Sequence, residues 1–153
     1  MERTLAIVKP DAVARGKIGE IIHRFEEAGL QVCGLRMVHL EKREAEQFYH
    51  VHRGRPFFES LATFMSSGPS VVMVLEGKSA ITTVRAIMGA TDPAQASPGS
   101  IRRDLATSIE QNAVHGSDSP ESAAFEVPYF FTGVEIFDYT RVDLLDRKGD
   151  VNP

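Results

Sequence analysis

The segment Asn112-Ala113-Val114-His115-Gly116-Ser117-Asp118-Ser119-Pro120 concentrates groups that can do chemistry. His115 reads as lying on a turn just before a helix. Small residues follow it, so a ligand could approach closely. Ser117, Asp118 and Ser119 offer N–H groups and hydroxyls near a helix N-terminus, where anions are favoured. A histidine beside an anion site can act as a nucleophile towards phosphate. The alternative is a histidine that only caps its loop.

The other candidates are less pointed. His23, in an amphipathic helical stretch, and His39, at a strand end, read as surface or internally satisfied histidines. His50 and His52 sit near a helix end, and no histidine pair has the H-E-x-x-H spacing of a zinc site. Lys9-Pro10-Asp11 follows a strand, so Lys9 either points into a cleft or snorkels to the surface. Arg55-Pro56-Phe57-Phe58 sets two rings beside a cation. One ring belongs to the core, and the other can stack on a flat ligand. Arg85 and Arg102 read as helix-surface arginines unless they converge on one site. Gly77-Lys78-Ser79 fails as a P-loop, because the required first glycine position is Val72. No G-x-G-x-x-G occurs, and Gly116-Ser117 does not extend to G-x-S-x-G.

These groups sit in a chain of 153 residues with 42% apolar and 25% charged residues, an ordinary globular composition of one-domain length. One cysteine excludes an internal disulfide framework and a multi-cysteine zinc site. No stretch approaches the roughly 20 apolar residues of a membrane span. The apolar run at 5–8 is too short for a signal peptide, so a cytoplasmic protein without a membrane partner is expected. Lys and Arg number 17 against 21 Asp and Glu, for a net charge of −4. Such a chain is a poor non-specific nucleic-acid binder, and no stable nucleic-acid partner is expected.

The elements that must position the candidates follow from periodicity and breakers. Residues 3–8 read as a buried strand stopped by Pro10. Residues 16–28 read as a helix with Ile18, Ile21, Ile22 and Phe25 at helical spacing and Gly29 as its stop. Strands are predicted at 30–40, 71–75 and 134–137. Helices are predicted at 43–50, 58–65, 79–88, 101–108 and 119–125, with Ser79 and Ser119 as N-caps and Pro120 at the first helical position. Asp92-Pro93 and Ser97-Pro98-Gly99 mark a long loop over 90–100. Without its insertions the order is β-α-β-β-α-β, which predicts an antiparallel four-stranded sheet with two helices on one face. The domain is expected to span 1–138, with a polar, loosely held tail over 139–153.

The motif Asn112-x-x-His115-Gly116-Ser117-Asp118-Ser119 resembles that of the nucleoside diphosphate kinases. Further matches fall in the family's order from Glu2 to Phe137. They include Lys9-Pro10-Asp11, Gly19-Glu20-Ile21-Ile22, Arg55-Pro56-Phe57-Phe58 and Ser67-Gly68-Pro69, then Met88-Gly89-Ala90-Thr91-Asp92-Pro93 and Pro98-Gly99-Ser100-Ile101-Arg102. The resemblance implies a ferredoxin-like α+β sandwich with added helices and a long loop. It implies a two-step exchange in which a nucleoside triphosphate phosphorylates His115, which then phosphorylates a nucleoside diphosphate. By the same resemblance, Glu126 accepts a hydrogen bond from the His115 imidazole. Lys9, Tyr49, Arg102 and Asn112 contact the transferred phosphate or the sugar. Arg55, Arg85 and Thr91 hold the distal phosphates, while Phe57 stacks on the base between Leu61 and Ile109. Ser119 supports Glu126 or caps its helix. Mg²⁺ is held mainly by the phosphates, with Asp118 reaching it through water. A homo-oligomer built from dimers, tetramer or hexamer, is implied, with broad base specificity.

Some positions depart from the family pattern. Gln111 stands where many relatives have arginine, and Arg103 where a small residue is common. Pro128 deletes a helix hydrogen bond, which predicts an early helix end and a changed setting for Glu126. A nucleic-acid module on the same fold would carry the run K/R-G-F/Y-G/A-F-V-x-F/Y, which is missing here. Intact His115, Lys9, Arg102 and Asn112 argue against an inactive relative.

Overall fold

The apolar run at 5–8 lies at the middle of a sheet covered on both faces. The structure, a computed structural model, describes residues 1–141. β1 (Glu2–Val8) ends at Lys9, and Pro10 opens a short helix, α1 (Pro10–Ala14). The chain continues through α2 (Ile18–Glu27), β2 (Gln31–Val38), α3 (Lys42–Phe48), a 3₁₀ turn (His50–His52) and α4 (Phe58–Met65). Then come β3 (Ser70–Gly77), α5 (Ala80–Met88), α6 (Ile101–Leu105), β4 (Val114–Gly116), α7 (Pro120–Phe130) and a 3₁₀ turn (Gly133–Glu135). The sheet order is β2-β3-β1-β4, and every pairing is antiparallel. This is the expected ferredoxin-like α+β architecture.

Strand alternation sends side chains to both faces. On one face Ala6, Val8, Met73 and Leu75 pack with Ile21 and Phe25 of α2 and with Val84 and Met88 of α5. On the other face Leu5, Ile7, Val72 and Val74 pack with Ala45 and Phe48 of α3, Ala62 and Met65 of α4, and Phe130 of α7. The inserted helices therefore cover the face that a bare βαββαβ sandwich leaves open. That double burial explains why residues 5–8 are apolar without alternation.

Three expectations are corrected. Residues 134–137 form no strand: Gly133–Glu135 is a 3₁₀ turn, and Val134 is 85% exposed. The last strand is instead Val114–Gly116, whose residues Val114, His115 and Gly116 pair with Val8, Ile7 and Ala6. His115 thus sits in a strand, not on a turn. A three-residue strand has too little pattern to read, and pairing with β1 alone creates it. Thirdly, Pro128 does not end α7, which continues to Phe130. One lost hydrogen bond is offset by the burial of Phe130 and Phe131, and Arg36 donates to the Phe130 carbonyl at the helix end.

Smaller differences concern ends. The helix predicted over 101–108 stops at Leu105. Ser79 stands at an N-cap position without a side-chain cap bond, and Glu2 accepts from Ile81 N instead, at 2.8 Å. Tyr139 and Arg141, at the start of the expected tail, donate to the Val32 and Leu30 carbonyls at 2.6 and 3.3 Å. The rest of that tail lies outside the described residues.

Candidate active site

His115 projects from β4 towards α7, where Glu126 waits one strand-to-helix connection later. Ser119 caps α7 by accepting from Ser122 N at 3.0 Å, and Pro120 takes the first helical position. The helix so started places Glu126 against the His115 ring, and Nε2 hydrogen-bonds the Glu126 carboxylate Oε1. A carboxylate can only accept, so Nε2 carries the proton and donates. The Nδ1 lone pair is left free, without a hydrogen-bond partner among the described residues. Phe48 and Tyr49 pack edge-on to the imidazole, with centroids 5.3 and 5.7 Å away. The ring is thus fixed in both tautomer and tilt. Ser119 has no hydrogen bond to Glu126 among the described residues, so capping is its role here.

Three cations gather around the strand that carries the imidazole, and a fourth, Arg55, lies near His52. Lys9, at the end of β1, is buried and donates Nζ to Asn112 Oδ1 at 2.8 Å. Of the two readings of Lys9, the cleft-facing one holds. Burial, with Arg102 nearby, pulls its pKa down from 10.5 to about 8. Arg102 is 6% exposed and donates to Gly89 O at 3.1 Å and Val114 O at 3.0 Å. Its pKa is lowered to about 10 by burial and by Arg85. Arg85 donates to Gly116 O at 3.3 Å. The two arginines therefore converge on the strand that carries His115. Arg55 is exposed beside the 3₁₀ turn. None of these four makes an ion pair among the described residues, whereas Arg3, Arg15, Arg24 and Arg36 all do.

Two buried polar atoms of the site also lack a hydrogen-bond partner among the described residues: the Tyr49 hydroxyl and Arg102 Nε. Such groups cost free energy unless a ligand satisfies them. Burial and the neighbouring Glu126 raise the Tyr49 pKa, so its hydroxyl remains a neutral donor.

The remaining expected residues lie on α4 and on the loops around Asn112. Phe57 caps the start of α4 and is 48% exposed, and Leu61 lies one helical turn on. Ile109 is 61% exposed on the loop before Asn112, and Ser60 donates to Glu110 at 2.5 Å, tying that loop to α4. Thr91 contributes its carbonyl, which accepts from Asn112 Nδ2 at 3.3 Å. The Asp118 carboxylate is turned to Ser122, which donates to it and lowers its pKa. Gly116 serves packing rather than ligand approach: a Cβ there would lie 2.7 Å from Met88 Sδ and 2.9 Å from Val84 Cγ1.

His52 is a site residue that the sequence reading passed over. Its ring lies 6.2 Å from Tyr49 and 5.3 Å from Phe57, linking the residue beside His115 to the ring at the start of α4. Burial, then His115 and Arg55, lower its pKa. The available signal was its place three residues after Tyr49 and three before Arg55.

An oriented imidazole among unpaired cations, on a ferredoxin-like sandwich, defines a site of the phosphotransferase type. The family model described as nucleoside diphosphate kinase matches residues 2–136. The nucleoside diphosphate kinase of Desulfosudis oleivorans is 61% identical over 136 residues, covering 89% of this chain and 98% of that relative. The Geobacter sulfurreducens one is 58% identical, covering 89% and 99%. The Aquifex aeolicus nucleoside diphosphate kinase structure superposes with a TM-score of 0.88 at 50% identity, covering 89% and 99%. A Halobacterium salinarum structure, in complex with CDP, has a TM-score of 0.88 at 41% identity, covering 92% and 93%. The chain belongs to the nucleoside diphosphate kinase family.

Proposed function

We propose that this protein moves the γ-phosphoryl group of a nucleoside triphosphate onto a nucleoside diphosphate through a phosphohistidine at His115. The observation that carries the reading is the Nε2 hydrogen bond to Glu126, which leaves Nδ1 as the nucleophile. In the first half-reaction the Nδ1 lone pair attacks the γ-phosphorus. The N–P bond forms as the bond to the β,γ-bridging oxygen breaks, and the diphosphate leaves with that electron pair. In the second half-reaction a terminal oxygen of another diphosphate attacks the same phosphorus, and the N–P electron pair returns to Nδ1. Nε2 keeps its proton throughout, and Glu126 stabilises the positive charge that grows on the ring.

Phosphoryl transfer asks for positioning and cations more than for acids and bases. Lys9, Tyr49, Asn112 and Arg102 meet the transferred group or the sugar. Arg55, Arg85 and Thr91 hold the other phosphates. Phe57 stacks on the base, with Leu61 and Ile109 lining the slot. Stacking reads a π-face rather than base edges, so all bases are accepted.

Among the described residues no three or more His, Cys, Asp and Glu side chains gather to hold a metal. Mg²⁺ takes one or two carboxylates, keeps waters and otherwise binds substrate phosphates. Asp118, whose carboxylate is bonded to Ser122, would be the side chain to hold it through water. When bound, Mg²⁺ neutralises charge on the phosphates.

Outermost strand β2 exposes Leu35 and Met37 (54% and 57%), which supports a homo-oligomer built from dimers. Light scattering that gives a monomer at micromolar concentration refutes it. Among the described residues no helix is long and apolar enough to cross a membrane. The cytoplasm is the compartment that suits exchange between nucleotide pools.

The test is intact-protein mass after mixing with ATP and Mg²⁺. One acid-labile phosphoryl group per chain, missing in His115→Ala, is expected. A phosphoryl group that persists in His115→Ala overturns the reading.

A further inference from the structure

We infer that Asp11, a buried carboxylate with no part in the exchange above, is a positioning residue that holds the chain before His115 in a strained turn. The inference rests on His115 being the phosphorylated group.

Ala113 is the only non-glycine residue with positive φ among the described residues, at 70°. Val114 N donates to Asn112 O at 2.8 Å across it, which makes Ala113 the centre of a tight three-residue turn. With positive φ at its centre that is the rare, strained γ form. A side chain with a Cβ disfavours this backbone, which persists only where the surroundings impose it.

The surroundings are the corner between β1 and α1. Asp11 Oδ2 accepts from Ala113 N at 3.1 Å, and Lys9 N donates to Ala113 O at 2.8 Å. Both polar groups of the strained residue are therefore held by one short segment, Lys9-Pro10-Asp11. Asp11 is itself held: Arg15 lies 3.7 Å from Oδ2 and anchors to the Leu105 carbonyl. Asp11 Oδ1 is buried without a hydrogen-bond partner among the described residues. The carboxylate is thus placed for its single bond to Ala113.

The turn decides what its neighbours reach. On one side, Asn112 reaches Lys9 Nζ and the Thr91 carbonyl. On the other, Val114 presents its carbonyl to Arg102, one residue before His115. Relaxing Ala113 to negative φ rotates these two sides relative to each other. Asp11 thereby sets the spacing between the Lys9–Asn112 pair and the imidazole without touching the phosphate.

The experiment is single-turnover phosphorylation of His115 at saturating ATP and Mg²⁺, on chains shown to be folded by near-UV circular dichroism. Asp11→Ala slows the step by roughly tenfold to a hundredfold, the scale of a 1 Å misplacement. Asp11→Asn keeps an acceptor oxygen and most of the rate. Ala113→Gly placed in the Asp11→Ala background recovers rate, because glycine adopts positive φ without a clamp. A structural role alone predicts a lower melting temperature and an unchanged single-turnover rate in Asp11→Ala, and that result overturns the inference. So does a folded double variant that stays as slow as Asp11→Ala. If Asp11→Ala alone does not fold, the double variant decides: wild-type-like folding and rate support the clamp, and failure of either refutes it. Loss of phosphorylation in the unmodified protein would instead strike the reading of His115.

Discussion

Glu126→Gln and Glu126→Ala separate two contributions of one carboxylate. The Glu126 side chain accepts the Nε2 proton of His115 and is itself largely buried. As Nδ1 bonds to phosphorus, the ring gains about half a positive charge. A full charge about 4 Å from a carboxylate is worth about 4 kcal/mol at an effective dielectric constant near 20, so half is worth about 2 kcal/mol. Glutamine keeps an acceptor oxygen and loses the charge, which predicts a phosphorylation rate about 30-fold lower. Alanine also releases the tautomer and the ring tilt. Its total loss is expected at about 10²–10⁴, the range for a positioned acid–base partner. The assay is rapid-quench formation of acid-labile phosphoprotein, quenched in alkali. Nucleotide affinity, measured separately by calorimetry, should stay near that of the wild type, since Glu126 faces the imidazole. An unchanged single-turnover rate in Glu126→Ala refutes the role. A Glu126→Gln rate equal to that of the wild type, with Glu126→Ala still slow, refutes the charge argument while leaving tautomer selection.

Lys9 titrates at about 8, so nucleotide binding should weaken as pH rises through 8, and calorimetry across pH 7–9.5 reads this. Stability moves the other way. Between about 8 and 10.5 the unfolded chain holds a proton on Lys9 that the folded chain has released, so stability from this group rises with pH. The gain, on the order of 3 kcal/mol, should vanish in Lys9→Met, and a urea midpoint that tracks pH equally in both proteins contradicts the assignment. Phe57→Ala should weaken all nucleotides alike by about 1–3 kcal/mol. A loss confined to purines or pyrimidines in a fluorescence titration argues against stacking as the base contact. Gly116→Ala forces a Cβ to within 2.9 Å of Val84 and should lower the unfolding free energy by about 1–3 kcal/mol. An unchanged urea midpoint shows that α5 yields freely.

Local pattern and long-range pairing divided the information in this chain. Residues 5–8, the helical spacing of Ile18, Ile21, Ile22 and Phe25, and the run at 71–75 each bury enough apolar surface to declare their elements without tertiary context. The motif around His115 was equally readable as a family resemblance, because residue types at fixed spacing survive in one dimension. Other features needed three. β4 is a strand only because β1 offers it partners, while residues 134–137, more strand-like in composition, make one backbone bond to β2, from Phe137 N to Cys33 O at 2.9 Å, and no ladder among the described residues. Arg85 and Arg102 read as surface arginines until α5 and α6 folded them onto β4, and His52 had no meaning apart from Tyr49 and Phe57. Pro128 argued for a broken helix, yet burial of Phe130 and Phe131 outweighs one missing hydrogen bond. Composition and spacing thus named the candidate groups. Only the sheet register decided that Nε2 faces Glu126, that Ala113 is held at positive φ, and that Lys9, Arg85 and Arg102 come together around β4, since each depends on atoms far apart in the chain.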